Sequence, residues 1–458
     1  MAHKSTSIAA VILAAGKGTR MKSALPKVMH KVAGLPMVGH VVARALDVGA
    51  APIAVVISQG MDQVAQVARD IAGEVDIAVQ KEQLGTAHAV LAARAALGEL
   101  DGILLVLYGD TPLITTASLE QMIDALESDD QCALAVLGFI PDEAGSYGRL
   151  VLNEDGTLDK IVEAKDASED ELAIELCNSG VMAIRANLVW KLLAQVKNDN
   201  AKQEYYLTDI VALARASGHT ALAVEGDADE VLGVNSRSEL AVAEAIFQFR
   251  ARQKFMADGV TLIDPDSVYF AADTVIENDV LIEPNVFFGP GVTIKKGAHI
   301  KAFSHIEGAT IGANTSVGPF ARLRPGTQLG NDVRVGNFVE IKAADVANGA
   351  KISHLSYIGD ATVGEEANIG AGTITCNYDG YLKYQTVIGK GVFVGSNSAL
   401  VAPVTIGDGA MIAAGSVITA DVSADALGIA RGQQTEKTGA AKEFRSKKSA
   451  EKLAKKKA

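Results

Sequence analysis

The stretch from Ile388 to Ile418, IGKGVFVGSNSALVAPVTIGDGAMIAAGSVI, carries an aliphatic residue at every sixth position. Two earlier stretches, 282–306 and 311–341, carry a hydrophobic residue at the same interval. The residues in phase are Ile388, Val394, Leu400, Ile406, Ile412 and Ile418; Ile311, Val317, Leu323, Leu329, Val335 and Ile341; and Ile282, Phe288, Ile294, Ile300 and Ile306. A helix repeats about every 3.6 residues and a simple strand about every two, so neither gives this period. The pattern predicts a parallel β-helix of hexapeptide repeats, in which three hexads make one triangular coil.

The residues between these positions suit the corners of such a coil. Glycine, proline and asparagine accept the unusual dihedral angles of tight turns, as in Gly289-Pro290-Gly291 and Gly312-Ala313-Asn314. The interval breaks in the segment 368–380, which we expect to leave the coil as a loop and to reach over a neighbouring prism. A β-sandwich with regular turns is the alternative, but sandwiches seldom hold one phase for so long.

Length, composition and charge limit the kind of protein. The chain has 458 residues, more than one hydrophobic core usually serves, so we expect two domains. It has no long uncharged apolar run and no signal-peptide pattern, which predicts a cytoplasmic protein without membrane segments. The formal net charge of −13 argues against a general nucleic-acid binder. The cysteines Cys132, Cys177 and Cys376 lie far apart, as expected of reduced thiols.

The end of the chain departs from this acidic average. It carries a basic tail with Arg445, Lys447, Lys448, Lys452, Lys455, Lys456 and Lys457. We expect the tail to be solvated and disordered, with an interaction arm as the alternative.

The first half of the chain alternates short apolar runs with helical stretches. The predicted strands are Ile8–Leu13, Ile53–Ile57, Ile103–Leu107 and Cys132–Leu137, and the predicted helices include Val38–Val48, Met61–Ile71 and Ala87–Ala96. This order predicts a doubly wound, Rossmann-like α/β domain with buried parallel strands. A segment without glycine or proline, Glu239–Met256, predicts a helix that links the two domains. The expected organisation is therefore an α/β domain at 1–237, a linker helix at 238–257 and the β-helix with the basic tail at 258–458.

A phosphate-binding pattern follows the first strand directly. The run Leu13-Ala14-Ala15-Gly16-Lys17-Gly18-Thr19-Arg20-Met21 is followed by Pro26-Lys27. Small residues let backbone N–H groups approach phosphate oxygens, and Lys17, Arg20 and Lys27 supply the positive charge that a triphosphate requires. The run is neither a Walker loop nor a dinucleotide fingerprint, and it resembles the signature of the sugar nucleotidyltransferases.

Three further segments fit that resemblance. Gln80 lies upstream of Leu84-Gly85-Thr86, and its amide can pair with the donor and acceptor edge of uracil. Tyr108-Gly109-Asp110 ends a predicted strand, where ligands bind in open α/β sheets, and Asp110 offers an oxygen to a hard cation. The resemblance makes Asn235 the second ligand of a Mg²⁺ ion, and it implies sugar contacts from Gly148, Glu163 and Asn178.

The β-helix carries a second candidate site. Arg324 and Lys342 lie eighteen residues apart, one full coil, so we expect two stacked cations suited to a phosphate. His354 follows them as a candidate general base, next to Tyr357. The small residues in Gly395-Ser396 and Ala413-Ala414-Gly415 would leave a groove for a thin pantetheine arm, and Arg431 would meet its phosphates.

Apart from its first residues and its basic tail, the chain resembles the bifunctional family of N-acetylglucosamine-1-phosphate uridylyltransferases and glucosamine-1-phosphate acetyltransferases. The resemblance implies that acetyl-CoA first acetylates glucosamine 1-phosphate, and that the resulting N-acetylglucosamine 1-phosphate then reacts with UTP. It also implies a left-handed coil, a homotrimer formed through the β-helix, and Mg²⁺ as the cofactor.

The same resemblance assigns residues to each site. His354, Arg20 and Lys27 are implied to be catalytic, and Asp110 and Asn235 to hold the metal. The implied UTP and UDP-N-acetylglucosamine contacts are Leu13, Ala14, Ala15, Gly16, Lys27, Gln80, Gly85, Thr86, Tyr108, Gly109, Asp110, Gly148, Glu163, Asn178 and Asn235. The implied glucosamine 1-phosphate contacts are Arg324, Lys342, Tyr357 and Asn368, and the implied acetyl-CoA contacts are Ala371, Ser396, Ala414 and Arg431. Asn377 and Tyr378, in the loop, are implied to reach both glucosamine 1-phosphate and acetyl-CoA.

Three other functions share parts of this pattern. A nucleotidyltransferase with a regulatory β-helix, as in ADP-glucose pyrophosphorylases, would not need His354 beside Tyr357. A zinc enzyme of the γ-carbonic-anhydrase kind needs three converging histidines, for which only His299, His305 and His354 are available. A non-catalytic scaffold would be expected to have lost Lys27, Asp110 or His354.

Overall fold

The computed structural model describes residues 6–16, 18–200 and 202–457. Its contacts divide the chain into two compact units, one of Met1–Ala257 with Tyr269–Asp273 and one of Asp258–Val268 with Thr274–Ala458. The predicted linker helix runs from Arg237 to Ala257 and is grouped with the first unit. The predicted domain boundaries stay predictions.

The first unit is built around a mixed β-sheet whose strands lie between residues 8 and 225 of the sequence. Its strands follow the order Thr220–Glu225, Cys132–Phe139, Cys177–Arg185, Ile103–Tyr108, Ile8–Leu13, Ile53–Ser58 and Asp76–Gln80. All neighbours in this order are parallel except Cys177–Arg185, which runs antiparallel to both of its neighbours. A hairpin of Arg149–Leu152 and Leu158–Val162 pairs with the start of the antiparallel strand. A second, separate hairpin joins Lys31–Val32 to Leu35–Pro36.

Helices cover both faces of this sheet. They are Met37–Asp47, Asp62–Ala72, Thr86–Ala92, Arg94–Leu97, Thr116–Ser128, Ala186–Leu193 and Ile210–Ala216. The helix Glu169–Leu172 contacts the hairpin strand Arg149–Leu152, and Arg237–Ala257 contacts Lys31–Val32 of the separate hairpin. Alternate residues of the first strand belong to different hydrophobic clusters, with Val11 in one and Ala10 and Ile12 in the other. A sheet buried on both faces is what continuous apolar strands require, so the predicted doubly wound α/β domain is confirmed.

The second unit is a stack of short parallel strands that form three faces. The first face contains Thr261–Leu262, Leu281–Ile282, His299–Ile300, Ser316–Val317, Arg334–Asn337, Lys351–His354, Asn368–Ile369, Phe393–Val394, Met411–Ile412 and Leu427–Gly428. The second contains Phe287–Phe288, His305–Ile306, Arg322–Leu323, Ile374–Cys376, Ala399–Val401 and Val417–Ile418, and the third contains Val275–Ile276, Thr293–Ile294, Ala309–Ile311, Thr327–Leu329, Thr386–Ile388 and Val404–Ile406. Two longer strands, Glu340–Val346 and Tyr357–Val363, each run from the second face into the third.

The hexad residues point into the prism that these faces enclose. Every hydrophobic residue predicted to be in phase is at most 5% exposed. Their register stacks them coil on coil, with Leu323 opposite Ile341 and Ile341 opposite Ile358. The predicted β-helix is confirmed, while its left-handed sense stays a prediction.

The predicted break of the hexad rhythm is wrong in position. Ile369 and Thr375 are 2% and 1% exposed, six residues apart, so the rhythm continues past 368. Thr375 hides this continuity because it is polar. Its hydroxyl accepts a hydrogen bond from the backbone N–H of Gly359 at 2.8 Å, which satisfies it inside the prism. The inserted loop is residues 377–385, between the strands Ile374–Cys376 and Thr386–Ile388.

The prediction of a disordered tail is also wrong. Residues Ala440–Lys457 form a helix, and it is exposed throughout its described side chains. Lysine, alanine and glutamate are good helix formers, which accounts for a helix without a packed face. In the part of the chain that the structure describes, no helix is both long and apolar enough to cross a membrane.

The burial of the hexad residues predicts that two adjacent residues of one strand contribute very differently to stability. Ile412 is 1% exposed and its neighbour Met411 is 50% exposed. We expect Ile412→Ala to lower the free energy of unfolding of this unit by roughly 2–5 kcal/mol, because it removes buried methylene groups and leaves a cavity. Met411→Ala, the matched control, should change it by less than about 0.5 kcal/mol. Thermal and urea unfolding followed by circular dichroism measures both, and equal effects would contradict the inward assignment.

Candidate active sites

A cavity of about 250 Å³ opens at the carboxyl ends of the central strands of the first unit. Most of the predicted nucleotide contacts line it, together with residues that the sequence analysis did not name. The lining residues are Leu13, Ala14, Ala15, Gly16, Lys27, Val28, Gln80, Gln83, Gly85, Thr86, Ala89, Tyr108, Asp110 and Glu204. The crevice outside the carboxyl ends of parallel strands is where open α/β sheets bind ligands.

The ammonium group of Lys27 is the centre of the charged part of this cavity. It forms an ion pair with the carboxylate of Asp110 and donates to Oδ1 of Asn235 at 2.9 Å. The side chains of Lys27 and Asp110 are only 12% and 19% exposed, so water screens this pair poorly. Gly18 makes the approach possible, because its φ of 61° suits glycine and a Cβ there would lie 2.4 Å from Cβ of Lys27.

The amide of Asn235 is held in one orientation. Its Nδ2 donates to the carbonyl of Gly233 at 2.9 Å, which turns Oδ1 towards Lys27. Its backbone N–H donates to the carboxylate of Glu239 at 2.6 Å, and the N–H of Val234 donates to the carbonyl of Asp110 at 2.9 Å. The two predicted metal ligands therefore meet at one point, although they are far apart in the sequence.

The donor set at this point has the chemistry of a hard-cation site. A carboxylate oxygen and an amide oxygen converge, and Mg²⁺ usually takes one or two protein oxygens while phosphates and water complete its shell. Among residues 6–16, 18–200 and 202–457, no group of three or more histidine, cysteine, aspartate or glutamate side chains could hold a metal by itself. The residues fit a magnesium ion that is shared with substrate phosphates.

The predicted uracil-binding segment is held by contacts between Gln80 and Gly85 and by contacts with residues 205–207. Nε2 of the buried Gln80 donates to the carbonyl of Gly85 at 3.2 Å. Gly85 has a φ of 118°, and a Cβ there would lie 2.5 Å from the carbonyl oxygen of Tyr205, so no other residue fits. Thr86 Oγ1 accepts from the backbone N–H of Leu207 at 3.0 Å.

Gln83 is a site residue that the sequence analysis missed. Its Nε2 donates to the carbonyl of Ala15 at 2.6 Å and to the hydroxyl of Ser58 at 3.1 Å, which fastens the loop after the first strand. Its position directly before Leu84-Gly85-Thr86 was the available signal. Glu204, also in the cavity wall, gave no sequence signal because it comes from a distant part of the chain.

The three predicted sugar contacts lie side by side. Arg149 is paired with both Val162 and Cys177, which places Gly148, Glu163 and Asn178 at the neighbouring register position. The N–H of Asn178 donates to the carbonyl of Gly148 at 2.8 Å. Burial raises the pKa of Glu163 above its ordinary value.

The acidic groups here also act on Tyr108. Burial, with the negative charges of Asp110 and Glu163, raises the pKa of the Tyr108 hydroxyl well above its usual range. A tyrosine in the wall of the cavity therefore stays a neutral hydrogen-bonding group at physiological pH.

Two of the predicted site residues that the structure describes, Arg20 and Gly109, do not line the cavity. Lys17 lies outside the described residues. Arg20 is exposed in the short turn Thr19–Met21 and is not among the residues that line the cavity. Gly109 lies just behind the lining, where its N–H donates to the carbonyl of Leu13 at 2.9 Å.

In the second unit, the register of one face gathers the predicted catalytic and acetyl-CoA residues into a single column. Asn337 is opposite His354, and the pairs Ile352–Ile369, Ile369–Val394, Val394–Ile412 and Ile412–Gly428 continue the stack. Two residues further along each coil lie, in order, His354, Ala371, Ser396, Ala414 and Ala430. Arg431 joins the column by donating from Nη1 to the carbonyl of Ala414 at 2.7 Å. Successive coils of a parallel stack lie about 4.8 Å apart, so the column makes a continuous edge.

The imidazole of His354 is oriented by a residue that the sequence analysis missed. Nδ1 of His354 lies 2.7 Å from Oδ1 of Asn337. An amide oxygen only accepts, so Nδ1 carries the proton and Nε2 of the neutral ring is left as a proton acceptor. The seventeen-residue spacing of Asn337 and His354, one shortened coil, was the signal available in the sequence.

His354 and Tyr357 lie on opposite sides of one corner of the prism. His354 lines a groove of about 590 Å³ with Asn337, Lys301 and Arg334, and Tyr357 lines one of about 400 Å³. Phe320 and Phe338 line both grooves, and their rings stack at a centroid distance of 5.1 Å. Phe303 stacks on Phe320 at 5.0 Å.

A cluster of cations lies beyond Tyr357 on the second face. Leu323 opposite Ile341 sets Arg324 above Lys342, as the spacing predicts. The neighbouring ammonium of Lys383, with Arg324 adding to it, lowers the pKa of Lys342. Lys383 was missed because it belongs to the inserted loop, which has no hexad period to place it. Arg324 is also paired with Glu340, at 2.9 Å.

Polar groups surround this cluster. Nδ2 of Asn377 donates to the carboxylate of Asp360 and lies 3.5 Å from the hydroxyl of Tyr357. Tyr378 is 60% exposed and donates to the carbonyl of Gly380 at 2.6 Å. Asn368 lies on the first face, opposite Lys351 and Phe393, so the register places it apart from Arg324 and Lys342.

The three histidines of the β-helix do not converge. Nε2 of His299 lies 2.8 Å from the carboxylate of Glu283, and the ring of His305 stacks on Phe287 with centroids 4.9 Å apart. His354 is bound to Asn337 instead. Their separate partners argue against a zinc site of the carbonic-anhydrase kind.

Comparisons with known proteins agree with both units. Residues 10–174 match the MobA-like NTP transferase domain, and residues 273–308, 308–343 and 385–420 match the bacterial transferase hexapeptide repeats. Three curated relatives carry the name Bifunctional protein GlmU. The Maricaulis maris protein is 62% identical over 98% of this chain and 99% of its own length, that of Rhizorhabdus wittichii is 60% identical over 95% and 96%, and that of Paramagnetospirillum magneticum is 53% identical over 98% and 99%.

The match covers nearly all of both units. Identity above one half over 98% of this chain and 99% of the relative is too extensive to come from one unit alone. The chain belongs to the GlmU family of bifunctional proteins.

Proposed function

We propose that this chain is a bifunctional enzyme that makes UDP-N-acetylglucosamine. The second unit transfers an acetyl group from acetyl-CoA to the amino group of glucosamine 1-phosphate. The first unit transfers a uridylyl group from UTP to the resulting N-acetylglucosamine 1-phosphate and releases pyrophosphate. The observation that carries the proposal is that each unit has cationic side chains suited to phosphate beside groups suited to one of the two reactions. These are Lys27 in the first unit and Arg324, Lys342 and Lys383 in the second.

In the first unit, catalysis comes from position and charge. The sugar phosphate oxygen attacks the α-phosphorus of UTP, the bond to the bridging oxygen breaks, and pyrophosphate leaves on the opposite side. Lys27 neutralises charge on the phosphates, and the turn after Leu13 offers its backbone N–H groups. Gln80 and Gly85 hold the base, and Glu163 and Asn178 orient the sugar, so that the two reactants meet in line.

Mg²⁺ is the proposed cofactor of this unit, held by the oxygens of Asp110 and Asn235. When bound, it offsets negative charge on the phosphates. Gly233 and Glu239 keep the Asn235 amide oxygen turned towards this point.

In the second unit, the proposed acetyl transfer is general base catalysis. The amine nitrogen attacks the thioester carbonyl carbon, the carbon–sulfur bond breaks, and the CoA sulfur leaves with the electron pair. Nε2 of His354 takes the proton from the amine, while Asn337 keeps Nδ1 protonated and the ring in place. Arg324, Lys342 and Lys383 bind the phosphate of the sugar, and Tyr357 and Asn377 lie beside it.

The column Ala371, Ser396, Ala414 and Arg431 is the proposed acetyl-CoA edge. Its small side chains leave room for the pantetheine arm, and Arg431 is placed at its end to meet phosphates. An edge along one prism gives only one wall of a groove, so we propose a homotrimer in which a neighbouring prism supplies the other. Small-molecule substrates are the proposed ligands, with no nucleic acid or membrane partner.

The two reactions should be separable by single substitutions. We expect His354→Ala to lower CoA release from acetyl-CoA and glucosamine 1-phosphate by roughly 10²–10⁴-fold, since a general base is lost. Its formation of UDP-N-acetylglucosamine from supplied N-acetylglucosamine 1-phosphate and UTP should be unchanged. His305→Ala, which removes an exposed histidine of the same unit, is the matched control. CoA thiol and pyrophosphate are measured separately, and loss of pyrophosphate release in His354→Ala would contradict the proposal.

The reverse pattern is expected for Asp110→Asn. Removing the carboxylate charge should lower pyrophosphate release by roughly 10²–10³-fold and leave thiol release unchanged. Asp101→Asn, an exposed aspartate before the strand Ile103–Tyr108, makes the same chemical change outside the cavity and should behave like wild type. A wild-type chain that releases pyrophosphate but never CoA would show that the β-helix is regulatory.

Lys383 gives a test of the phosphate site in the β-helix. A charge-assisted hydrogen bond contributes about 1.5–3 kcal/mol, so Lys383→Met should raise the KM for glucosamine 1-phosphate about 10–100-fold. The KM for acetyl-CoA should change little. Lys390→Met, which removes an exposed lysine paired with Glu365, is the control. Equal KM values in the two variants would show that Lys383 does not bind the substrate.

A further inference from the structure

We propose that Lys27 competes with the divalent cation for Asp110 and Asn235, so that the cation enters the site together with the nucleoside triphosphate. This inference rests on the proposed uridylyl transfer and adds to it. It gives Lys27 a second task besides binding phosphate, namely to keep the affinity for the cation low until phosphates are present.

The first observation is that the ammonium group of Lys27 already binds both proposed metal ligands, Asp110 and Asn235. The ammonium of Lys27 is paired with the Asp110 carboxylate and donates to Oδ1 of Asn235 at 2.9 Å. Asn235 has a single side-chain oxygen, and its nitrogen is bound to the carbonyl of Gly233, so the amide cannot turn to offer another acceptor. A divalent cation that takes both oxygens must therefore displace the ammonium, because two cations at one point repel each other strongly in a poorly solvated site.

The second observation is burial. The side chains of Lys27 and Asp110 are 12% and 19% exposed. A carboxylate with so little water near it needs a counter-charge at all times. The ammonium group of Lys27 supplies that charge. A divalent cation that binds without nucleotide therefore gains less free energy than it would beside an unpaired carboxylate.

The third observation is that Lys27 has an alternative partner within reach. It lines the same cavity as Ala14, Ala15 and Gly16, where the triphosphate is proposed to bind. Phosphate oxygens are strong acceptors for an ammonium group. When they arrive, Lys27 exchanges the carboxylate for phosphate and leaves the two oxygens to the cation. Cation and nucleotide thus bind cooperatively.

The test is a titration of the full chain with Mn²⁺ in the absence of nucleotide, with free Mn²⁺ measured by electron paramagnetic resonance. We expect Lys27→Met and Lys27→Gln to bind one Mn²⁺ at least tenfold more tightly than wild type. The exposed Lys31→Met, which removes the same charge four residues away, should stay within twofold of wild type. Adding Asp110→Asn to Lys27→Met should abolish the gain. Circular dichroism establishes that each variant is folded, and Lys27→Gln retains a hydrogen-bond donor if Lys27→Met fails to fold.

The outcomes separate this inference from the proposed function. If both Lys27 variants bind Mn²⁺ no more tightly than Lys31→Met, the competition is refuted. In that case Mn²⁺ binding by wild type in the presence of UTP, lost in Asp110→Asn, would leave the proposed metal site intact. If Asp110→Asn has no effect on Mn²⁺ binding even with UTP, the proposed metal site itself fails, and the competition fails with it.

Discussion

The register between coils of the β-helix is the constraint on which the second unit depends. One buried residue in each hexad locks every coil to the next, as Leu323, Ile341 and Ile358 do. A slip of one residue would turn these side chains from the core into water. The same register that buries them lines up outward-facing groups, so that Asn337 meets His354. The packing inside the prism therefore also sets the positions of the candidate site residues on its surface.

The first unit reaches the same end by a different route. Its continuous apolar strands are buried on both faces, so polar side chains collect where the strands end. Asp110 follows one such strand, and Asn235 is brought to it by backbone bonds and by Glu239. Lys27 then bridges the two oxygens. The fold brings these charged groups together, and their poor solvation then makes their interaction strong. Their pairing is therefore a consequence of the fold.

Periodic and local patterns were enough to predict much of this molecule. The hexad positions, the α/β domain and the motif after Leu13 could be read from the sequence because each rests on a short repeat or a contiguous run. The features that the sequence did not reveal depend on contacts between distant segments, on a hexad position that a polar residue occupies, or on a loop without a repeat. Thr375 concealed the continuing rhythm because it is polar, and Lys383 lies in a loop without a period. Glu204 comes to the nucleotide cavity from a remote segment, which no local pattern can place.

The central claim is that one chain performs two successive transfers. The most direct measurement supplies the purified chain with glucosamine 1-phosphate, acetyl-CoA labelled with ¹³C in its acetyl group, UTP and Mg²⁺, and identifies the nucleotide sugar by mass spectrometry. The account predicts UDP-N-acetylglucosamine that carries the label in its acetyl group. A nucleotide sugar without the label, or labelled sugar phosphate that never becomes linked to uridine, would contradict it.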